Sequence, residues 1–482
     1  MWTEQILRAI ATLSHPAATF ATFTAAGHVR RHLTDAGYTV TKVPGYGRKR
    51  ESLRGVAAQP GSPHSGHDSA WDLPGRTANR PQHVLVVGGG LAGCTAAAAL
   101  AQRGIAVTVL EQGKLAQAGS GNEQGILYTR LSRRHSALVD FALQSFQFSS
   151  TFYRNMFAHG ELTAPSDGEL CGSFQQSADT DEMTALCESL RGLDELAQVL
   201  DAAQANDLLG IDQTSAGYWY PRSGWLQPAA VCRALVAREH IRVLENCGAV
   251  TLHAEDDAWH AQANGGTLAR ATCAIVATGT GTTVLAPLQW LPLQPVRGQI
   301  SQLPTAPPFA GLKAVLCHDG YIAPPREGQH SIGATFTPGV DDANPRSSDN
   351  YDNIAKLAAA VPAWREALEA LDPAALSGRV GYRCASPDYL PTVGPAPDLP
   401  AFLETFAALR KNARQAISSR GSYLPGLYLT AAHGSRGLTS TPIAAELLAS
   451  LICGEPPPLS RALCRALAPA RFIIRDLIRN RI

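Results

Sequence analysis

Three glycines, Gly88, Gly90 and Gly93, stand in the spacing G-x-G-x-x-G directly after the apolar run at 84–87. The first permits a tight turn from strand to helix, the second lets a pyrophosphate approach the backbone, and the third lets helix and strand pack closely. A small-residue helix is predicted over 94–101, stopped by Gly104. Its free N–H groups and the positive end of its dipole suit phosphate. The run IAVTVLE predicts a second strand that ends at Glu111, an acceptor for adenosine ribose hydroxyls. A lone glycine motif is weak, and the competing reading is a glycine turn in an ordinary βα unit. Here strand, glycines, helix, second strand and acid fall in register, which favours a dinucleotide.

Two later segments favour FAD over NAD. The strand CAIVATGT ends in Thr278 and Gly279, placing an Ala-Thr-Gly turn beside the pyrophosphate. Near the other end, GLYLTAAHGSRGLTSTPIAAE runs from a strand through a turn with Gly434, Gly437 and Leu438 into a helix. Helix N–H groups there would stabilise negative charge on a reduced flavin ring. The alternative for this segment is a plain final βα unit.

The elements that must position these residues belong to an α/β chain of 482 residues, enough for several domains. Hydrophobic residues make up 45%, so a large core can be buried, and a net charge of +1 excludes a global basic field for nucleic acid. The ten cysteines form no C-x-x-C pair, which excludes the common zinc and dithiol signatures and fits reduced thiols in the cytosol. There is no signal-peptide pattern and no apolar run of the ~18 residues a membrane helix needs, so a soluble cytoplasmic protein is expected. Residues 1–56 alternate helix and strand signals: an amphipathic helix (TEQILRAIATLS), a buried strand (AATFATFTA), a helix closed by Gly37, and an edge strand (YTVTKV). Residues 57–82 are rich in Pro, Gly, Ser and His and read as a linker. From 83 to 482 the α/β pattern is continuous and contains no internal repeat.

Residues 83–482 resemble the glycine oxidase and D-amino-acid oxidase-like flavoenzymes. More closely, they resemble the FAD-dependent oxidase half of the bifunctional tRNA 5-methylaminomethyl-2-thiouridine biosynthesis family. The segments that carry the likeness are SGNEQGILYTRLSRRH, YPRSGWLQPAAVCRALV, PVRGQI, LCHDGYIAP, GYRCASPDYLPTVG and AAHGSRGLTSTPIAAE. Residues 1–56 resemble the end of that family's Rossmann-like methyltransferase half. The implied architecture is a glutathione-reductase-type FAD domain (about 83–165, 225–295 and 380–455) with an inserted antiparallel-sheet substrate domain. The family's S-adenosylmethionine loop lies upstream of the segment matched here. The expectation is therefore a truncated gene or a late-assigned start, no methyltransferase activity, and a separate methyltransferase as a candidate partner.

The resemblance implies a tRNA substrate carrying 5-carboxymethylaminomethyl-(2-thio)uridine. Its glycine unit would be oxidised and the imine hydrolysed, leaving 5-aminomethyl-(2-thio)uridine, with oxygen as the electron acceptor. A buried carboxylate needs a fixed cation, and guanidinium grips it bidentately. Arg383, which resembles the strand arginine of amino-acid oxidases, and Arg436 are the catalytic candidates, weighed against surface or structural arginines. For Asn122, Gln124, Gly125 and Tyr128, lining the isoalloxazine and plain loop structure are equal readings. Tyr321 and His318 are candidates to face the substrate, a lone histidine being more often structural. Pro387 and Pro391 read as turn rigidifiers. Basic clusters at 45–54, 130–135 and 461–482, the last read as one amphipathic helix, are candidates for phosphate contact or simply solvated faces. The alternatives are a free glycine- or sarcosine-type amine oxidase and a non-catalytic tRNA-binding remnant.

Overall fold

The computed structural model describes residues 2–15, 17–57, 71 and 80–482. The chain divides into two compact units, 1–69 and 70–482. Most of the expected linker lies outside the described residues.

In the smaller unit, the helix Glu4–Leu13 is capped by the Thr3 hydroxyl, which accepts the Ile6 N–H. It packs with the helix Gly27–Asp35 on an antiparallel sheet ordered Thr19–Thr22, Glu51–Ala57, Tyr38–Pro44. Leu7, Val29, Leu33, Tyr38 and Leu53 form its core. Two expectations change here. Thr19–Thr22 is a partly exposed edge, not a buried strand. The central strand is Glu51–Ala57, within and beyond the basic cluster; it alternates Ser52, Arg54 and Val56 on the more exposed face with buried Leu53, Gly55 and Ala57.

The larger unit is built on a six-stranded sheet ordered Ile241–Leu244, Ala106–Leu110, His83–Val87, Cys273–Val276, Tyr423–Ala431, Thr392–Pro397. Every pairing is parallel except the last. Parallel strands covered on both faces read as continuous apolar runs, and Val84–Val87 and Cys273–Val276 do so. The helix Leu91–Ala101 follows the first strand and is buried almost all round. Its alanines let the helices Pro228–Val236 and Gly437–Cys453 pack close against it. Arg103 fastens the end of this helix to the last one through Glu446 and Glu455, both at 2.8 Å.

A nine-stranded sheet carries the other wall of the site. Its long strand Gln294–Pro304 pairs antiparallel with Gly378–Ala385, Gln329–Gly333 and Thr337–Pro338. The sheet is mixed, not purely antiparallel, because Val315–Cys317 runs parallel to Ser173–Gln176. The register is locked by a buried polar network. Arg297, fully buried, donates to Asp349 at 2.5 Å and to the carbonyls of Asp342 and Asn344 at 2.7 Å. Gln299 and Ser301 donate to Asn350 at 2.8 and 2.6 Å.

The C-terminal basic segment is not one helix. Pro469 separates Arg461–Leu467 from Ala470–Ile478, since proline cannot continue the hydrogen-bond ladder of the first helix. The second helix buries Phe472, Ile473, Ile474 and Leu477. Arg471 is committed to Asp388 at 2.9 and 3.1 Å. No helix of the described residues is long and apolar enough to cross a membrane.

Candidate active site

The strand His83–Val87 leads straight into the helix Leu91–Ala101, and the glycines between them have distinct constraints. Gly88 has φ +112°. A Cβ there would meet the Ala277 carbonyl oxygen at 2.5 Å. A Cβ on Gly93 would lie 1.9 Å from the Gly88 carbonyl oxygen, so this glycine sets the helix against the turn. At Gly90 the one close neighbour is the Ser120 hydroxyl, 3.0 Å from such a Cβ. Glu111 sits at the end of the second strand and accepts the N–H groups of Gly89 (2.7 Å) and Gly113 (2.9 Å). Carboxylate oxygens have lone pairs beyond these, available to ribose hydroxyls.

A cavity of about 780 Å³ extends from this turn to the far sheet. It is lined by Gly88, Gly90, Glu111, Asn122, Gly125, Thr278 and Gly279 together with Arg383, Gly434, Arg436, Gly437 and Leu438. The glycine turn with no Cβ to fill it, the N–H groups left over by the first helical turn, and the acid at the strand end fit an adenine dinucleotide. The same cavity holds Arg383 and Arg436, so a dinucleotide bound at the turn shares it with both guanidiniums.

Two expected cofactor residues stand outside the lining. Gly93 acts from behind the turn, through packing. Gln124 is buried and faces the second sheet: its amide donates to the Pro324 carbonyl (2.9 Å) and accepts the Ser331 N–H (3.2 Å). It ties the strand Gly125–Leu127 to the substrate sheet.

Arg383 comes from the strand Gly378–Ala385, opposite Val296. Its Nη1 donates to the Thr335 carbonyl at 3.0 Å, and its guanidinium carbon lies 5.7 Å from the centre of the Phe336 ring. Burial pushes its pKa below the ordinary value, against the opposing pull of Tyr321 and Tyr128. The side chain crosses its own sheet over Gly298, where a Cβ would sit 1.9 Å from Nη1. Arg436 caps the helix Gly437–Cys453 and lies 5.8 Å from the centre of the Tyr128 ring. The Gly434 N–H donates to the Cys384 carbonyl at 3.0 Å, which ties the two arginine-bearing segments together. No carboxylate among the described residues forms an ion pair with either arginine. Two guanidiniums lining one cavity, neither ion-paired among the described residues, are suited to receive a ligand carboxylate.

Tyr321, Tyr128 and His318 also line the cavity. Burial pushes the Tyr321 phenol up to about 12 and the His318 imidazole down to about 4. His318 Nδ1 accepts the Gly320 N–H at 3.2 Å, so the neutral ring carries its proton on Nε2.

Sequence reasoning missed Arg379. It donates to the carbonyls of Gln117 (2.6 Å) and Ala118 (2.5 Å) and to Asn122 Oδ1 (3.0 Å), holding the loop that lines the cavity floor. Its placement four residues before Arg383, on the same face of one strand, is the signal that would have found it.

His433, at the turn, bridges Thr430 (2.9 Å) and Ser440 (2.8 Å), and burial lowers its pKa to about 4. Between the ordinary value of 6.5 and about 4, the unfolded chain binds a proton that the folded one refuses. Stability is therefore unaffected by this group above pH 6.5 and falls as pH drops through that window, by up to about 1.4 kcal/mol per pH unit. His433→Gln is expected to flatten the acid limb of a melting-temperature profile, and superimposable limbs would contradict this.

Residues 83–451 match the family of FAD-dependent oxidoreductases, and residues 1–58 match an S-adenosyl-L-methionine-dependent methyltransferase family. The chain is 41% identical, over its full length and 72% of the relative's, to the tRNA 5-methylaminomethyl-2-thiouridine biosynthesis bifunctional protein MnmC of Pseudomonas aeruginosa (strain UCBPP-PA14). It is 40% identical, with the same coverage, to the protein of that name from Stutzerimonas stutzeri. Among solved structures, glycine oxidase from Geobacillus kaustophilus superposes with a TM-score of 0.62 at 21% identity, covering 82% of this chain and 99% of that one. L-proline dehydrogenase from P. horikoshii gives 0.63 at 17% identity, covering 82% and 98%. These two likenesses show the fold. The chain is a flavoprotein with FAD as its cofactor, and it belongs to the FAD-dependent oxidoreductases and, among them, to the family of the tRNA 5-methylaminomethyl-2-thiouridine biosynthesis proteins.

Proposed function

We propose that this chain oxidises the glycine unit of 5-carboxymethylaminomethyl-(2-thio)uridine at the tRNA wobble position, releasing glyoxylate and leaving 5-aminomethyl-(2-thio)uridine. The observation that carries this reading is the half-buried guanidinium of Arg383, which has no ion-pair partner among the described residues and lines the same cavity as Arg436 and the dinucleotide turn. When bound, FAD supplies two-electron oxidation of the N–CH2 bond to an imine. The chain's own residues orient and polarise. Arg383 and Arg436 grip the carboxylate, fixing the methylene carbon. The tyrosines at 128 and 321 give the arm a partly apolar wall, and the phenol of Tyr321, held protonated by burial, donates to the Gln124 carbonyl at 3.5 Å. Water then adds to the imine, and the C–N bond breaks to the primary amine and glyoxylate. The N-terminus of the helix Gly437–Cys453 presents its positive end to the same region of the cavity. Oxygen is the proposed electron acceptor, a separate methyltransferase the proposed partner for the methylation that follows, and the cytoplasm the proposed location.

The test is to incubate the FAD-loaded protein with tRNA carrying the carboxymethylated nucleoside and to analyse the nucleosides. Conversion to the aminomethyl form with matching glyoxylate is expected. Unchanged tRNA alongside peroxide from glycine or sarcosine would replace this reading with a free amino-acid oxidase.

A further inference from the structure

We propose that Phe336 is the platform on which the substrate's pyrimidine ring stacks, so that the site selects a carboxymethylamine borne on a nucleobase over a free amino acid. The inference rests on the tRNA reading above and deepens it.

Phe336 lines the cavity, yet 56% of its surface is exposed. A single exposed apolar residue on an outer surface needs no explanation, but this ring opens into a ligand cavity, where aromatic side chains commonly form the binding wall. The other large apolar residue of the lining left so exposed is Val284, which belongs to the Gly279–Val284 turn on the dinucleotide side. Phe336 is held in place from the opposite side. The preceding residue, Thr335, gives its carbonyl to Arg383 Nη1 at 3.0 Å, and its hydroxyl accepts the Gln299 N–H at 3.0 Å. The aromatic ring is thus anchored to the same guanidinium that would take the carboxylate, 5.7 Å from it.

That separation matches the substrate. The arm runs from the ring carbon through CH2, NH and CH2 to the carboxyl carbon. With bonds of about 1.5 Å it reaches on the order of 5 Å. An arm gripped at Arg383 can therefore lay its pyrimidine on Phe336. Glycine or sarcosine would fill the arginine end and leave Phe336 uncovered. The surrounding charge suits a nucleic acid. Arg130 lines the same cavity and is exposed, and Arg133 and Arg134 follow on an exposed turn. None of these three has an ion-pair partner among the described residues. They can meet backbone phosphates, while stacking is sequence-tolerant and supplies grip on the base itself.

The experiment is steady-state kinetics of the FAD-loaded wild type, Phe336→Leu and Phe336→Tyr on tRNA bearing the carboxymethylated wobble base. Flavin content, flavin spectrum and melting temperature are recorded for each. Phe336→Leu keeps the apolar bulk and removes the π face. It is expected to raise KM roughly 5- to 150-fold, with a smaller change in kcat and an unchanged spectrum and melting temperature. Phe336→Tyr is expected to restore KM to near wild type. A wild-type KM in Phe336→Leu would overturn the stacking role while leaving the tRNA reading intact. Equal impairment in both variants would also overturn it, since a merely structural role predicts that result. Failure of the wild type to convert the tRNA would overturn both the inference and the reading beneath it.

Discussion

Arg383→Ala is expected to lower kcat/KM on the carboxymethylated tRNA by between about 30-fold and a few thousandfold while the protein stays yellow. Truncating one partner of a hydrogen-bonded charge pair that is taken largely out of water costs about 2–5 kcal/mol, because the remaining carboxylate loses its partner. Among the described residues the guanidinium makes one hydrogen bond, to the Thr335 carbonyl, and lies over the Phe336 ring, so the fold itself depends little on it. Arg383→Lys should recover part of the loss, as a point charge replaces a bidentate fork. Gly298→Ala offers an independent route to the same defect. Its Cβ would fall 1.9 Å from Nη1 and displace the guanidinium without removing it. Kinetics and flavin absorbance on the three variants check this. Wild-type KM and kcat in Arg383→Ala would remove the carboxylate grip from the site.

Gly93→Ala is expected to cost the cofactor itself. The added methyl carbon would sit 1.9 Å from the Gly88 carbonyl oxygen and 3.2 Å from Val86 Cγ1. The first neighbour is backbone in the turn that meets the pyrophosphate, so it cannot yield without deforming that turn. Overpacking of this kind costs about 1–3 kcal/mol in stability, and the deformation falls where the phosphates bind. Colourless protein with a lowered melting temperature is the predicted outcome. Gly90→Ala serves as the comparison, because the neighbour it would approach is the Ser120 hydroxyl at 3.0 Å. It should bind FAD more weakly than wild type and more tightly than Gly93→Ala. Gly93→Ala purified with full flavin would show that the turn tolerates what its geometry forbids.

What the sequence disclosed and what it hid follow from distance along the chain. Gly88, Gly90, Gly93 and Glu111 were legible because one contiguous βαβ segment holds all four, and each constraint is local. Arg383 and Arg436 were legible through resemblance, and the structure brings both to one cavity through the contact of Gly434 with Cys384. Arg379 shares a strand face with Arg383 and was passed over despite that spacing. Gly298 and Phe336 were not legible, since their roles depend on the pairing of Gln294–Pro304 with Gly378–Ala385 and Thr337–Pro338, a register fixed by tertiary contacts. Gln124 stood beside lining residues in sequence, but its side chain is taken up by the Pro324 carbonyl and the Ser331 N–H, contacts about two hundred residues away that the sequence does not display. The strand Glu51–Ala57 escaped because Glu51 and Arg54 are exposed and its buried face holds Gly55, so the segment reads as part of a charge cluster and not as an apolar alternation. The C-terminal arginines looked like one basic face until Pro469 split the helix and Asp388 claimed Arg471.

Anaerobic mixing of the FAD-loaded enzyme with tRNA bearing the carboxymethylated wobble uridine tests most directly whether the dinucleotide turn and the paired guanidiniums serve one reaction. Loss of the long-wavelength flavin absorbance is expected in the wild type and is expected to be slowed severely in Arg383→Ala, whatever acceptor later reoxidises the cofactor. A wild-type flavin that stays oxidised with this tRNA, yet bleaches with glycine or sarcosine, would contradict it.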